Sequence, residues 1–112
     1  MITTDSVKEI IDLYATHGWQ LRRVLLTDAA AASISVDGFG NIAIEPSKHD
    51  GLWFSRRSKP DCEAWELRRL SGSPFALVEV IDDGLDETER DAVFRDVERR
   101  MFEDTRRPEL SH

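Results

Sequence analysis

Apolar positions along this chain follow two periods, and the switch between them marks the elements. From Ser6 to His17, Val7, Ile10, Ile11 and Tyr14 recur at helical spacing, with Leu13 widening the face. Lys8, Glu9, Asp12 and Thr16 fall opposite, so this is a core-facing amphipathic helix. Ser6 with Glu9 fits a capping box, and Gly18 supplies the left-handed residue that ends many helices. Trp19 to Thr27 then alternates. Trp19, Leu21, Arg23 and Leu25 fall on one side and Gln20, Arg22, Val24 and Leu26 on the other. Both sides are partly apolar, which predicts a strand covered on both faces for part of its length.

The stretch from Leu52 to Asp82 organises the rest. It holds three short runs rich in aromatic and β-branched residues: Leu52–Arg57, Glu63–Leu70 and Phe75–Ile81. Ser58–Asp61 and Ser71–Pro74 carry the turn residues that fold them into an antiparallel meander. Residues 28–40 admit two readings. Thr27 or Asp28 caps a short helix through Ala29–Ala32, or Ser33–Val36 is a strand that turns at Asp37–Asn41. The alanines favour the helix. Ile42–Glu45 reads as a strand in either case, and Pro46 ends it or sets it at a sheet edge.

Asp86 with Glu89 caps a last helix that runs to about Asp104, with Val93, Phe94, Val97 and Met101 as its stripe. Asp91–Arg95 and Asp96–Arg100 are spaced for ion pairs along it, and Phe102 lies off the stripe. The expected architecture is two-layer α+β: an N-terminal helix, a mainly antiparallel sheet of four or five strands, and a C-terminal helix. Residues 1–104 form one domain and 105–112, with Pro108, a flexible tail. The order resembles double-stranded-RNA-binding domains in outline only, since a basic, lysine-rich helix start is missing.

Composition narrows the function. At 112 residues, 40% apolar and 33% charged, the chain suits one globular core. No apolar run approaches the roughly 20 residues of a membrane helix. The first residues lack the basic and apolar regions of a secretory signal, and one cysteine cannot form an internal disulfide. A cytoplasmic location is expected. The formal charge of −7 argues against nucleic acid as a partner.

Recognised chemistries fail one by one. Gly38-Phe39-Gly40-Asn41-Ile42-Ala43 matches a dinucleotide-binding turn, but it leads into a strand rather than a helix N-terminus. His17, His49 and His112 sit in separate segments, and Cys62 has no Cys or His at ligand spacing. Asp61 and Glu63 flank Cys62 and disfavour its thiolate. Ser71-Gly72-Ser73 lies between strands, not in a nucleophile elbow. No catalytic residue, cofactor site or metal site is expected, and the chain does not read as an enzyme.

Arginine is the unusual residue. It supplies twelve of the fifteen basic side chains, with pairs at Arg22-Arg23, Arg56-Arg57 and Arg68-Arg69 inside strands. Strict alternation puts one guanidinium of each pair on each face. The simpler outcome is a set of charge ladders with Glu63, Glu66 and Glu79. The sharper one is a partner- or anion-binding surface of Arg22, Arg56, Arg68, Trp53 and Trp65, residue types enriched at interface hot spots. Depending on strand register, Val24, Leu26, Phe54, Val78 and Val80 form a partly apolar second face short of cover. The sequence therefore predicts a protein-interaction or adaptor module, homodimeric or bound to another protein, with a small anionic ligand as the alternative.

Overall fold

Thr3, upstream of the expected cap, starts the first helix in the computed structural model, which describes residues 3–34, 39, 42–70 and 75–104. Its extended backbone lets Thr3 Oγ1 accept from Ser6 N–H at 3.1 Å, while Ser6 Oγ accepts from Thr3 N–H at 3.2 Å. The capping box therefore uses Thr3 and Ser6 rather than Ser6 and Glu9, and α1 spans Thr4–Thr16. Gly18 takes the left-handed conformation as expected, at φ +86°, and turns the chain into β1 (Gln20–Leu26).

Thr27 then caps α2 (Asp28–Ser33), accepting from Ala30 N–H at 3.2 Å, so the alanines do form a helix. That helix is part of a crossover, and β2 (Ala43–Pro46) therefore returns parallel to β1. The expected turn at Asp37–Asn41 falls largely outside the described residues, as does the Ser71–Pro74 connector. The meander follows as β3 (Gly51–Lys59), β4 (Cys62–Arg69) and β5 (Ala76–Asp82), each antiparallel to its neighbour. Asp86 and Glu89 cap α3 (Glu87–Asp104) reciprocally at 2.8 and 3.0 Å. The sheet order is β2-β1-β3-β4-β5.

The expected two-layer α+β architecture holds, helix against a mostly antiparallel five-stranded sheet. The helix–sheet packing is made twice, once on each face. Alternation along β3 shows why: Leu52 and Phe54 join Val7, Val24 and Leu26 under α1 and α2, while Trp53 joins Leu25, Trp65 and Leu67 under α3. Each such side chain contributes about 1.5–3 kcal/mol when fully buried. Tyr14 stacks on Phe54 with centroids 4.0 Å apart, and Phe94 lies 5.0 Å from Trp53 and 4.7 Å from Trp65. Phe102, off the stripe, is buried and stacks on His49. Leu13, expected to widen the apolar face of α1, is 55% exposed.

One local irregularity overturns the alternation argument for the arginines. A bulge between Leu21 and Arg23 shifts the register of β1 against β3. A bulge adds one residue and breaks the strict in-out order. Arg22 and Arg23 therefore both lie on the α3 side, 5.2 Å from the Trp65 ring and 5.3 Å from the Phe94 ring. The other two pairs do split. Arg56 covers Trp19 on the α1 side while Arg57 bonds Asp83, and Arg68 and Arg69 likewise take opposite faces.

Candidate functional site

The five residues singled out by sequence do not meet on one surface. Trp53 and Trp65 are core, 0% and 3% exposed, and Trp53 Nε1–H donates to Glu98 at 2.8 Å. Arg22 donates to the buried Ser55 hydroxyl at 3.2 Å and stacks on Trp65. Arg56 lies over Trp19 and donates to the His17 carbonyl at 2.9 Å, which satisfies an open group at the end of α1. Arg68 belongs to a cluster with Tyr14 and Glu66 on the α1 side. Each arginine thus has a structural task. The ladders form in part: Arg57 meets Glu63 across the strands at 4.0 Å, whereas Glu79 is reached by Arg100 from α3 at 3.0 Å.

Tyr14 donates to Glu66 across the α1–sheet boundary. Burial, then the hydrogen bond to Glu66, pushes the phenol up to about 12 from an ordinary 10. A raised folded value means the contribution to stability is full below pH 10 and is lost as pH rises towards 12. Tyr14 is the single tyrosine of the chain, so tyrosinate absorbance reports it alone. An alkaline titration should show a midpoint near 12, and Tyr14→Phe should remove the loss of stability between 10 and 12.

The strongest surface feature is the β5 edge. The two sheet edges differ in chemistry. β2 is four residues long and ends in Pro46, which has no N–H to offer, so that edge is blunted. β5 is seven residues long, without proline. Arg69 N–H bonds the Phe75 carbonyl and Asp83 N–H bonds the Asp61 carbonyl, both at 2.9 Å. Bonded positions alternate in an antiparallel pair, so residues 75, 77, 79, 81 and 83 spend their backbone groups on β4. Ala76, Val78 and Val80 therefore direct N–H and C=O outward, past the last strand; Asp82 has the same parity, but its carbonyl already accepts from Leu85 N–H at 3.2 Å. Their side chains point to the α1 side, where α1 covers β1 and β3 but does not reach β5. Val78 and Val80 are each 54% exposed, whereas Val24, Leu26 and Phe54 of the same face are buried.

Other groupings carry less. A cleft of about 460 Å³ lies between Ser47–His49 and the outer side of α3, where Arg95, Glu98 and Arg99 line it. Lys48 and Arg95 face it with no ion pair among the described residues, and the expected Asp91–Arg95 bond does not form, although Asp96–Arg100 does at 3.1 Å. Asp61, Cys62 and Asp82 bring ligand-type atoms within 4.8 Å of one another, a meeting that no spacing along the chain signals. The Cys62 thiol is pushed up by burial and by the hydrogen bond to Asp61, which suppresses the reactive thiolate. Asp82 already accepts from Gly84 N–H at 2.7 Å. Among the described residues no helix is long and apolar enough to cross a membrane.

Comparison with protein-family models, with curated proteins and with solved structures returns no match.

Proposed function

We propose that this chain is a small protein-interaction module that binds through the β5 edge and the apolar strip beside it. The observation that carries the reading is the coincidence, among the described residues, of outward backbone groups and two half-exposed valines on one edge strand. An unblocked edge is a template for another strand, and backbone bonds then supply much of the affinity. Its lone cysteine fits a reducing cytoplasm, where we place it. The Arg22, Arg56, Arg68, Trp53 and Trp65 set supports this function from within, by fixing the sheet, rather than by touching the partner.

Val80→Lys tests the reading. A lysine at the edge should lower association at least tenfold in light scattering or in capture of a partner, while the unfolding midpoint shifts little. Unchanged association in that variant would remove β5 from consideration.

Binding of a small anionic ligand is a second reading, favoured by Lys48 and Arg95 facing the cleft beside α3. It predicts that citrate raises the melting temperature of the native protein and not of a Lys48→Ala, Arg95→Ala variant. Equal response of the two would dismiss it.

A further inference from the structure

We infer that the occupant of the β5 edge is a second copy of this chain, paired antiparallel about a two-fold axis at Glu79; this rests on reading β5 as the interaction surface. A two-fold contact must be self-complementary. β5 meets that condition in backbone and apolar surface.

The backbone sets the register. Outward-facing residues must pair with outward-facing residues, which rules out any pairing that sets an even position against an odd one. Centring on Glu79 sets Ala76 against the partner's Asp82 and Val78 against the partner's Val80, and the two-fold repeats both. All four positions are then used, giving about six N–H···O bonds, since the Asp82 carbonyl is already engaged by Leu85 N–H. Moving the centre to Val78 or Val80 leaves Asp82 or Ala76 opposite a residue beyond the end of β5.

Side chains agree with that register. On the α1 side, Val78 and Val80 of both copies form one apolar strip at the middle of a continuous ten-stranded sheet (five strands from each copy). Arg68, opposite Ala76 on β4, stays in its cluster with Tyr14 and Glu66 and does not reach the partner. On the α3 side, Glu79 meets the partner's Glu79, and each is paired with its own Arg100 at 3.0 Å, a guanidinium it shares with Asp96.

Single cysteines in a Cys62→Ser background read the register directly. Glu79 would stand about 4.5 Å from the partner's Glu79 between Cα atoms, in a non-hydrogen-bonded pair within disulfide range. Val78 would stand about 7–8 Å from the partner's Val78, too far to bridge. Under mild oxidation, Glu79→Cys should convert mostly to disulfide-linked dimer while Val78→Cys stays largely monomeric on a non-reducing gel. Light scattering of the reduced proteins, with Glu79→Ser as a folded reference, is the companion measurement. Dimers by scattering with Val78→Cys bridged, or with neither variant bridged, would overturn the register and leave self-association standing. Monomers at every concentration would overturn the second copy as occupant; capture of a different protein that Val80→Lys abolishes would then keep the interaction reading alone.

Discussion

Replacing Trp53 with alanine lowers the free energy of unfolding by about 3–5 kcal/mol, the range for deleting a large buried aromatic. Trp53 is 0% exposed and sits where three packing partners meet: Trp65 at 6.3 Å, Phe94 at 5.0 Å and the Glu98 carboxylate at 2.8 Å from its indole nitrogen. Truncation leaves a cavity between β3 and α3 and removes the donor that Glu98 accepts from. Domains of this size are stable by about 5–15 kcal/mol, so the variant loses a large share of the total. Urea unfolding followed by fluorescence of the remaining tryptophans, or by circular dichroism, measures the loss. Trp53→Phe should cost less, since it keeps most of the ring volume and forfeits the bond to Glu98. A loss below about 1 kcal/mol for Trp53→Ala would contradict its place in the core.

Asp50→Ala should cost about 1–3 kcal/mol, because it strands buried donors rather than deleting a surface charge. Asp50 is 7% exposed, and its Oδ1 accepts from Thr27 N–H at 2.7 Å. Thr27 is the cap of α2, so one carboxylate ties the start of β3 to the start of the crossover helix. The Asp50 carbonyl also accepts from Leu70 N–H at 3.0 Å, holding the end of β4 beside it, a contact that alanine retains. Asp50→Asn keeps an oxygen acceptor and should recover part of the loss. Chemical denaturation of the two variants separates the carboxylate's hydrogen bonds from its charge; equal stability of Asp50→Ala and the native protein would show that the Thr27 contact is dispensable.

The sequence exposed the periodic features of this fold and hid the ones that depend on tertiary context. The meander, both long helices, the alanine helix and the Asp86–Glu89 cap follow from local patterns. The grouping of Val24, Leu26, Phe54, Val78 and Val80 on one face needs the register between strands as well as the parity within each. The first cap sits earlier than the pattern predicts because Thr3 and Ser6 satisfy each other with two hydroxyls, leaving Glu9 unused. The bulge at Leu21–Arg23 has no residue signature in Trp-Gln-Leu-Arg-Arg-Val, so simple alternation puts Arg22 on the wrong face. Burial of Asp50 and the meeting of Asp61, Cys62 and Asp82 come from strand neighbours distant in sequence. Most consequential is strand order. The valines of β5 are ordinary β-branched residues until the topology puts them at an edge that α1 does not reach.

Amide hydrogen exchange along β5 tests that edge most directly. Leu77, Glu79 and Ile81 donate to β4 and should be protected at every protein concentration. Val78 and Val80 direct their amides outward, so their protection should be low in dilute protein and should rise with concentration as strand pairs with strand. Val78 and Val80 amides that exchange freely at millimolar concentration would contradict the account.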